Sequence, residues 1–106
     1  MKIIKDKFGR RIRLTNERLQ HIFLKKEMDS QEEKISDTLK NPDVVKKSLH
    51  NESVLIFYKR YENTPVSSKY LAIVVKYKKE DRFILTAFFT DKIKEGEIYE
   101  ENANMV

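Results

Sequence analysis

The sequence predicts an α+β fold: two N-terminal helices packed on an antiparallel sheet of about four strands. Three observations carry this. Lys69–Tyr77 and Arg82–Thr90 are dense in aromatic and β-branched residues and are joined by Lys78-Lys79-Glu80-Asp81, which reads as a hairpin at the centre of a sheet. Two amphipathic helical stripes precede it, between Asn16 and Lys40. Helices that come before strands in the chain sort into separate layers. The 106 residues, 40% of them hydrophobic, suit one domain with one core.

In chain order, residues 1–14 form an N-terminal hairpin or extended arm, with Asp6-Lys7-Phe8-Gly9 as its turn. Residues 15–40 hold the helices. Thr15 is a candidate N-cap, and Glu17 in the first turn suits the helix dipole. The first helix should run to about Lys26, burying Leu19, Ile22 and Phe23. Arg18, His21 and Lys25 form a ridge beside that stripe. Ser30 followed by Glu33 has the spacing of a capping box for a second helix, Gln31–Lys40, which buries Ile35 and Leu39. Asn41-Pro42 ends it, because proline disfavours helical angles in the residue before it.

Residues 43–99 supply the sheet. Val44–Leu49 and Ser53–Tyr61 are its first strands, and 63–67 is a loop. Period-two alternation puts Tyr58 with Arg60, Tyr70 with Lys76, and Thr86 with Thr90. The nearly continuous apolar runs read as central strands covered on both faces. Ile98 and Tyr99 add a short strand or dock on the core, and 100–106 is a frayed acidic tail that can cover a basic face. The expected core is Leu19, Ile22, Phe23, Ile35, Leu39, Ile56, Leu71, Ile73, Val75, Phe83 and Leu85. With both helices on one side of the sheet, the other face is left as a concave surface.

Composition narrows the function. A net charge of +5 favours a polyanionic partner such as RNA, or an acidic protein. There is no cysteine, and the two histidines do not have metal-ligand spacing, so no cofactor or metal is expected. Two isolated glycines cannot build a phosphate-cradling loop. No stretch resembles a signal peptide or is long enough to span a bilayer, so a cytoplasmic protein with no membrane partner is expected.

What remains is acid–base chemistry assisted by cations. Cleavage of RNA by its own 2′-hydroxyl needs a base, an acid for the leaving 5′-oxygen, and charge stabilisation at phosphorus. His21 is the candidate acid or base. Arg18, Arg60 and Lys76 are candidates to hold phosphate. Thr86, Thr90 and Tyr58 can hydrogen-bond it, and Tyr58 or Tyr70 can stack on a base. Each has a plainer reading. His21 suits a helix border, Lys76 and Arg60 a sheet edge, the threonines a strand, the tyrosines a core with wet tips, and His50 a solvated turn.

Leu14-Thr15-Asn16-Glu17-Arg18-Leu19-Gln20-His21-Ile22 and Lys40-Asn41-Pro42-Asp43-Val44-Val45 occur ahead of Phe57-Tyr58-Lys59-Arg60-Tyr61, Val74-Val75-Lys76 and Thr86-Ala87-Phe88-Phe89-Thr90-Asp91. This ordered set resembles phage- and plasmid-associated nucleases of the barnase–EndoU–colicin–RelE group. The resemblance implies a RelE/barnase-like fold and a metal-independent ribonuclease or toxin, with an antitoxin or immunity protein as partner. It carries over His21, the basic residues of the sheet and Thr86. Together with the reading of the residues above, the expected catalytic set is then His21, Lys76 and Thr86, with Arg18, Tyr58, Arg60, Tyr70 and Thr90 binding substrate. Many relatives place a second histidine, followed by Pro and Glu, shortly after the first. Here the stretch is Lys25-Lys26-Glu27-Met28, which leaves either chemistry with one histidine or a weak or inactive copy. The alternative function is a non-catalytic RNA- or protein-binding module on the same fold. A third reading is a structural or inhibitory phage protein with no role on nucleic acid.

Overall fold

Six short apolar stretches become strands of a single sheet. The computed structural model describes residues 1–62, 64–65 and 69–99. In chain order these form β1 (Lys2–Lys5), β2 (Arg11–Leu14), α1 (Asn16–Phe23), a 3₁₀ turn over Lys26–Met28, α2 (Glu32–Lys40), β3 (Val44–Lys47), β4 (Val54–Arg60), β5 (Tyr70–Tyr77) and β6 (Arg82–Thr90). The strand order is β1-β2-β6-β5-β4-β3. The expected sheet of about four antiparallel strands is therefore corrected to six strands in a mixed sheet. The N-terminal arm is a hairpin, and its second strand lies parallel to β6 with Arg13 opposite Phe83. Burial explains the addition. Ile4, Ile12 and Leu14 join the core, and β2 covers part of what would be an open sheet edge.

Register decides which face is core. Ile73 lies between Phe57 and Ala87, and Val75 between Leu55 and Ile84. These rows pack with Ile22, Met28, Ile35 and Leu39. A bulge shifts β6 by one residue: Val74 opposes Thr86 while Val75 opposes Ile84, leaving Leu85 as the extra residue. The expected core residues Ile22, Ile35, Leu39, Leu71, Ile73 and Val75 are buried, and Leu19 and Phe23 pack partly against them. Ile56 and Phe83 belong instead to the opposite face, because their neighbours Leu55, Phe57 and Ile84 take the core positions. Phe83 there lies 5.2 Å from the Arg13 guanidinium. Arg13 also holds Asp81 through two 2.9 Å bonds, tying β2 to the β5–β6 turn.

Thr15 caps α1, its Oγ1 accepting from the Arg18 N–H at 3.1 Å. The helix stops at Phe23, short of Lys26, because Lys25 takes extended angles before the 3₁₀ turn. The capping box at Ser30 does not form. Ser30 has φ 65, outside the extended region an N-cap needs, and Gln31 occupies the cap position without a side-chain bond. The 63–67 loop lies largely, and the 100–106 tail wholly, outside the described residues.

Asp37 tethers α2 to β4 and the residue that follows it. It accepts from Lys59 Nζ at 2.7 Å, Tyr61 OH at 2.8 Å and Asn41 Nδ2 at 3.0 Å. The Lys59 bond leads in holding its carboxyl below the ordinary range. A depressed carboxylate stabilises the fold above its unfolded pKa and loses that contribution as pH falls through the folded one. Asp37→Asn is therefore expected to lower the melting temperature at neutral pH. The deficit should close in acid, as read by thermal unfolding followed from about pH 7 to about pH 2.

Candidate nucleic-acid interface

The face turned away from the helices is built by cross-strand register. Arg60, Tyr70 and Thr90 form one row; Tyr58, Ala72 and Phe88 the next; Ile56, Val74 and Thr86 a third; Val54, Lys76 and Phe83 a fourth. Opposed residues in such rows stand about 5 Å apart. All six strand residues expected at the site, Tyr58, Arg60, Tyr70, Lys76, Thr86 and Thr90, thus share one face.

They are not equally available. Tyr58 is 1% exposed, so it is floor rather than a platform on which a base could stack. The segment following β6 covers it, and the Lys94 backbone N–H lies 3.3 Å from its hydroxyl. Burial pushes the Tyr58 hydroxyl pKa up, and the Lys94 amide partly offsets this. The Thr90 hydroxyl is engaged with Lys92 in the turn that ends β6. Tyr70 is half-buried and Arg60 exposed. The guanidinium groups of Arg18 and Arg60 and the Lys76 ammonium make no ion pair among the described residues.

Past Thr90 the chain crosses this face to the outer edge of β3. The Lys47 N–H donates to the Glu97 carbonyl and the Tyr99 N–H to the Val45 carbonyl, both at 2.8 Å. Ile98 bridges Lys46, and the Tyr99 ring meets Phe8 at 5.2 Å. Both readings of Ile98 and Tyr99 therefore hold, as edge pairing and as docking. At Gly96 a Cβ would lie 2.6 Å from the Lys47 carbonyl oxygen. Gly96→Ala is expected to lift this segment off β3 and to raise amide exchange at Lys47, measured by hydrogen exchange.

Lys25 is the site residue that sequence reasoning did not single out. Its ammonium donates to Thr86 Oγ1 at 3.1 Å and to the Ala87 carbonyl at 3.0 Å, and lies 5.6 Å from the centre of the Phe88 ring. The available signal was its place four residues after His21 on the ridge of α1. His21 is exposed, and its side chain forms no hydrogen bond or ion pair among the described residues. It shares a cleft with Arg18, Thr15, Glu17, Gln20 and Leu24, and no described sheet residue lines that cleft. The residues thus fall into two groups, one along α1 and one on the sheet, and Lys25 links them. Among the described residues, no three His, Cys, Asp or Glu side chains gather as a metal site, and no helix is long and apolar enough to cross a membrane.

A family model described as phage-Barnase-EndoU-ColicinE5/D-RelE like nuclease2 matches residues 1–103. No curated protein and no solved structure gives a significant match.

Proposed function

Because the chain belongs to the phage-Barnase-EndoU-ColicinE5/D-RelE like nuclease2 family, we propose that it cleaves cytoplasmic RNA without a metal ion. The 2′-oxygen attacks the adjacent phosphorus, the bond to the 5′-oxygen breaks, and a 2′,3′-cyclic phosphate and a 5′-hydroxyl result. His21 takes the proton from the 2′-hydroxyl or gives one to the leaving 5′-oxygen. Lys25 and Thr86 stabilise the charge that grows on the phosphate oxygens. Lys76, Arg18 and Arg60 hold neighbouring phosphates, and Tyr70 offers a half-buried ring to a base.

The observation that carries this reading is the ammonium of Lys25 held on the Thr86 hydroxyl, on the sheet face shared with Lys76 and Arg60 and four residues after His21 in the chain, just past the end of α1. The test is incubation of the purified protein with total RNA in EDTA. The expected products end in cyclic phosphate. Lys25→Ala should slow their formation by about tenfold, the scale of one charge-assisted bond. A second reading is favoured by the division of His21 from the sheet residues: RNA held without being cut. It predicts salt-sensitive binding with the RNA left at full length.

A further inference from the structure

Apart from the cleft along α1, the sheet face carries a hollow that the cleavage chemistry does not use. It lies at the β3 end, under the segment that follows β6, and encloses about 260 Å³. Lys46 and Ile56 come from the strands, Leu49 and His50 from the β3–β4 connection, and Lys94 and Glu95 from the covering segment. Its chemistry is mixed. Ile56 and the 71%-exposed Leu49 are apolar, while Lys46 and Lys94 supply positive charge against Glu95, the single carboxylate among the described lining residues. Among the described residues the Lys46 ammonium reaches only the Gly96 carbonyl, at 3.4 Å. The Lys94 side chain forms no ion pair among the described residues.

Register connects this hollow to the other end of the face. Lys46 opposes Ile56, Ile56 opposes Val74, and Val74 opposes Thr86. Four adjacent strands therefore set Lys46 about 14 Å from Thr86 along one row. A single-stranded nucleic acid covers that distance in a few nucleotides, with a cation at each end of the row for its phosphates. We infer that the hollow is a subsite for a nucleotide flanking the scissile one, its base against Ile56 and Leu49 and its phosphate near Lys46 and Lys94. The inference rests on the RNA reading above and adds where a longer strand is gripped. An acidic peptide would meet the same lysines but would gain nothing from the row that leads to Thr86.

The test uses fluorescein-labelled 2′-O-methyl RNA of random sequence, as a dinucleotide and as a hexanucleotide, with binding read by fluorescence anisotropy at low salt. The methyl group blocks cleavage, so binding is read alone. The wild type is expected to prefer the hexanucleotide. The Lys46→Ala/Lys94→Ala double variant should lose about tenfold or more of that preference, and the slope of log affinity against log salt should fall by about 0.7, as for one lost phosphate contact on a single strand. Its dinucleotide affinity should stay unchanged. Lys78→Ala/Lys79→Ala, with the same net charge but in the exposed β5–β6 turn, should retain the preference. The inference is overturned if the wild type does not distinguish the two lengths, if Lys46→Ala/Lys94→Ala keeps the preference, or if the turn variant loses as much. Unmodified RNA run in parallel separates the two claims. Length preference without cleavage removes the cleavage reading alone, whereas cleavage without length preference removes the subsite alone.

Discussion

RNA cleavage in EDTA is expected to slow by about 10²–10⁴-fold in the His21→Ala protein, the range covered by one general acid or base. The substitution is unusually clean here. His21 is exposed on α1, its side chain holds no other described residue by a hydrogen bond or ion pair, and alanine favours a helix. A change in rate therefore reports chemistry and not folding. One limb of the pH–rate profile should disappear with the side chain. Arg18→Ala, three residues earlier on the same cleft, should instead raise KM and leave kcat nearly unchanged if its guanidinium only binds. Full activity in His21→Ala would take the proton transfer away from α1. The search for its donor would then turn to Lys76 and Thr86 on the sheet and to Lys25, which reaches Thr86 from the segment after α1.

Phe57→Ala is expected to destabilise the fold by about 3–5 kcal/mol, the usual cost of emptying a buried aromatic position. Phe57 is fully buried in the middle of β4, lies between Val45 and Ile73 in register, and has its ring centre 6.3 Å from that of Phe8. Small domains have about 5–15 kcal/mol in total, so the variant should have a much lower urea midpoint. The adjacent residue gives the contrast. Tyr58→Phe leaves the ring in place on the opposite face and removes only the hydroxyl that meets the Lys94 amide. It should cost about 0.5–1.5 kcal/mol. Equal losses from the two variants would contradict the division of β4 into a helix-packed face and a segment-covered one.

Local patterns were legible in the sequence. The Thr15 cap, the stop at Asn41-Pro42 and the strands over Tyr70–Tyr77 and Arg82–Thr90 depend on neighbours a few residues away. Period two also grouped Tyr58 with Arg60 and Thr86 with Thr90, and the structure sets these groups on one face. Choosing which face is core was harder. In Val54-Leu55-Ile56-Phe57 every residue is apolar, so alternation alone cannot favour Leu55 and Phe57 over Ile56. The bulge between Val74 and Val75 then reverses the pattern within β6, which is why Ile84 is buried where Phe83 and Leu85 were expected. The parallel contact of β2 with β6 left no trace, because four-residue strands carry no mark of a distant partner. Lys25 was hidden for the same reason: its two oxygen partners belong to a strand far along the chain.

That distance has a consequence for how the protein is made. Lys25 and Thr86 are 61 residues apart, and Arg13 and Asp81 are 68 apart. Translation delivers the N-terminal hairpin and α1 first, when neither has its sheet partner. Contacts of such long range close late in folding, and here they close only after β6 has left the ribosome. Until then the nascent chain carries the His21 ridge without the Thr86 face, so an activity that needs both stays off beside the very RNA being translated.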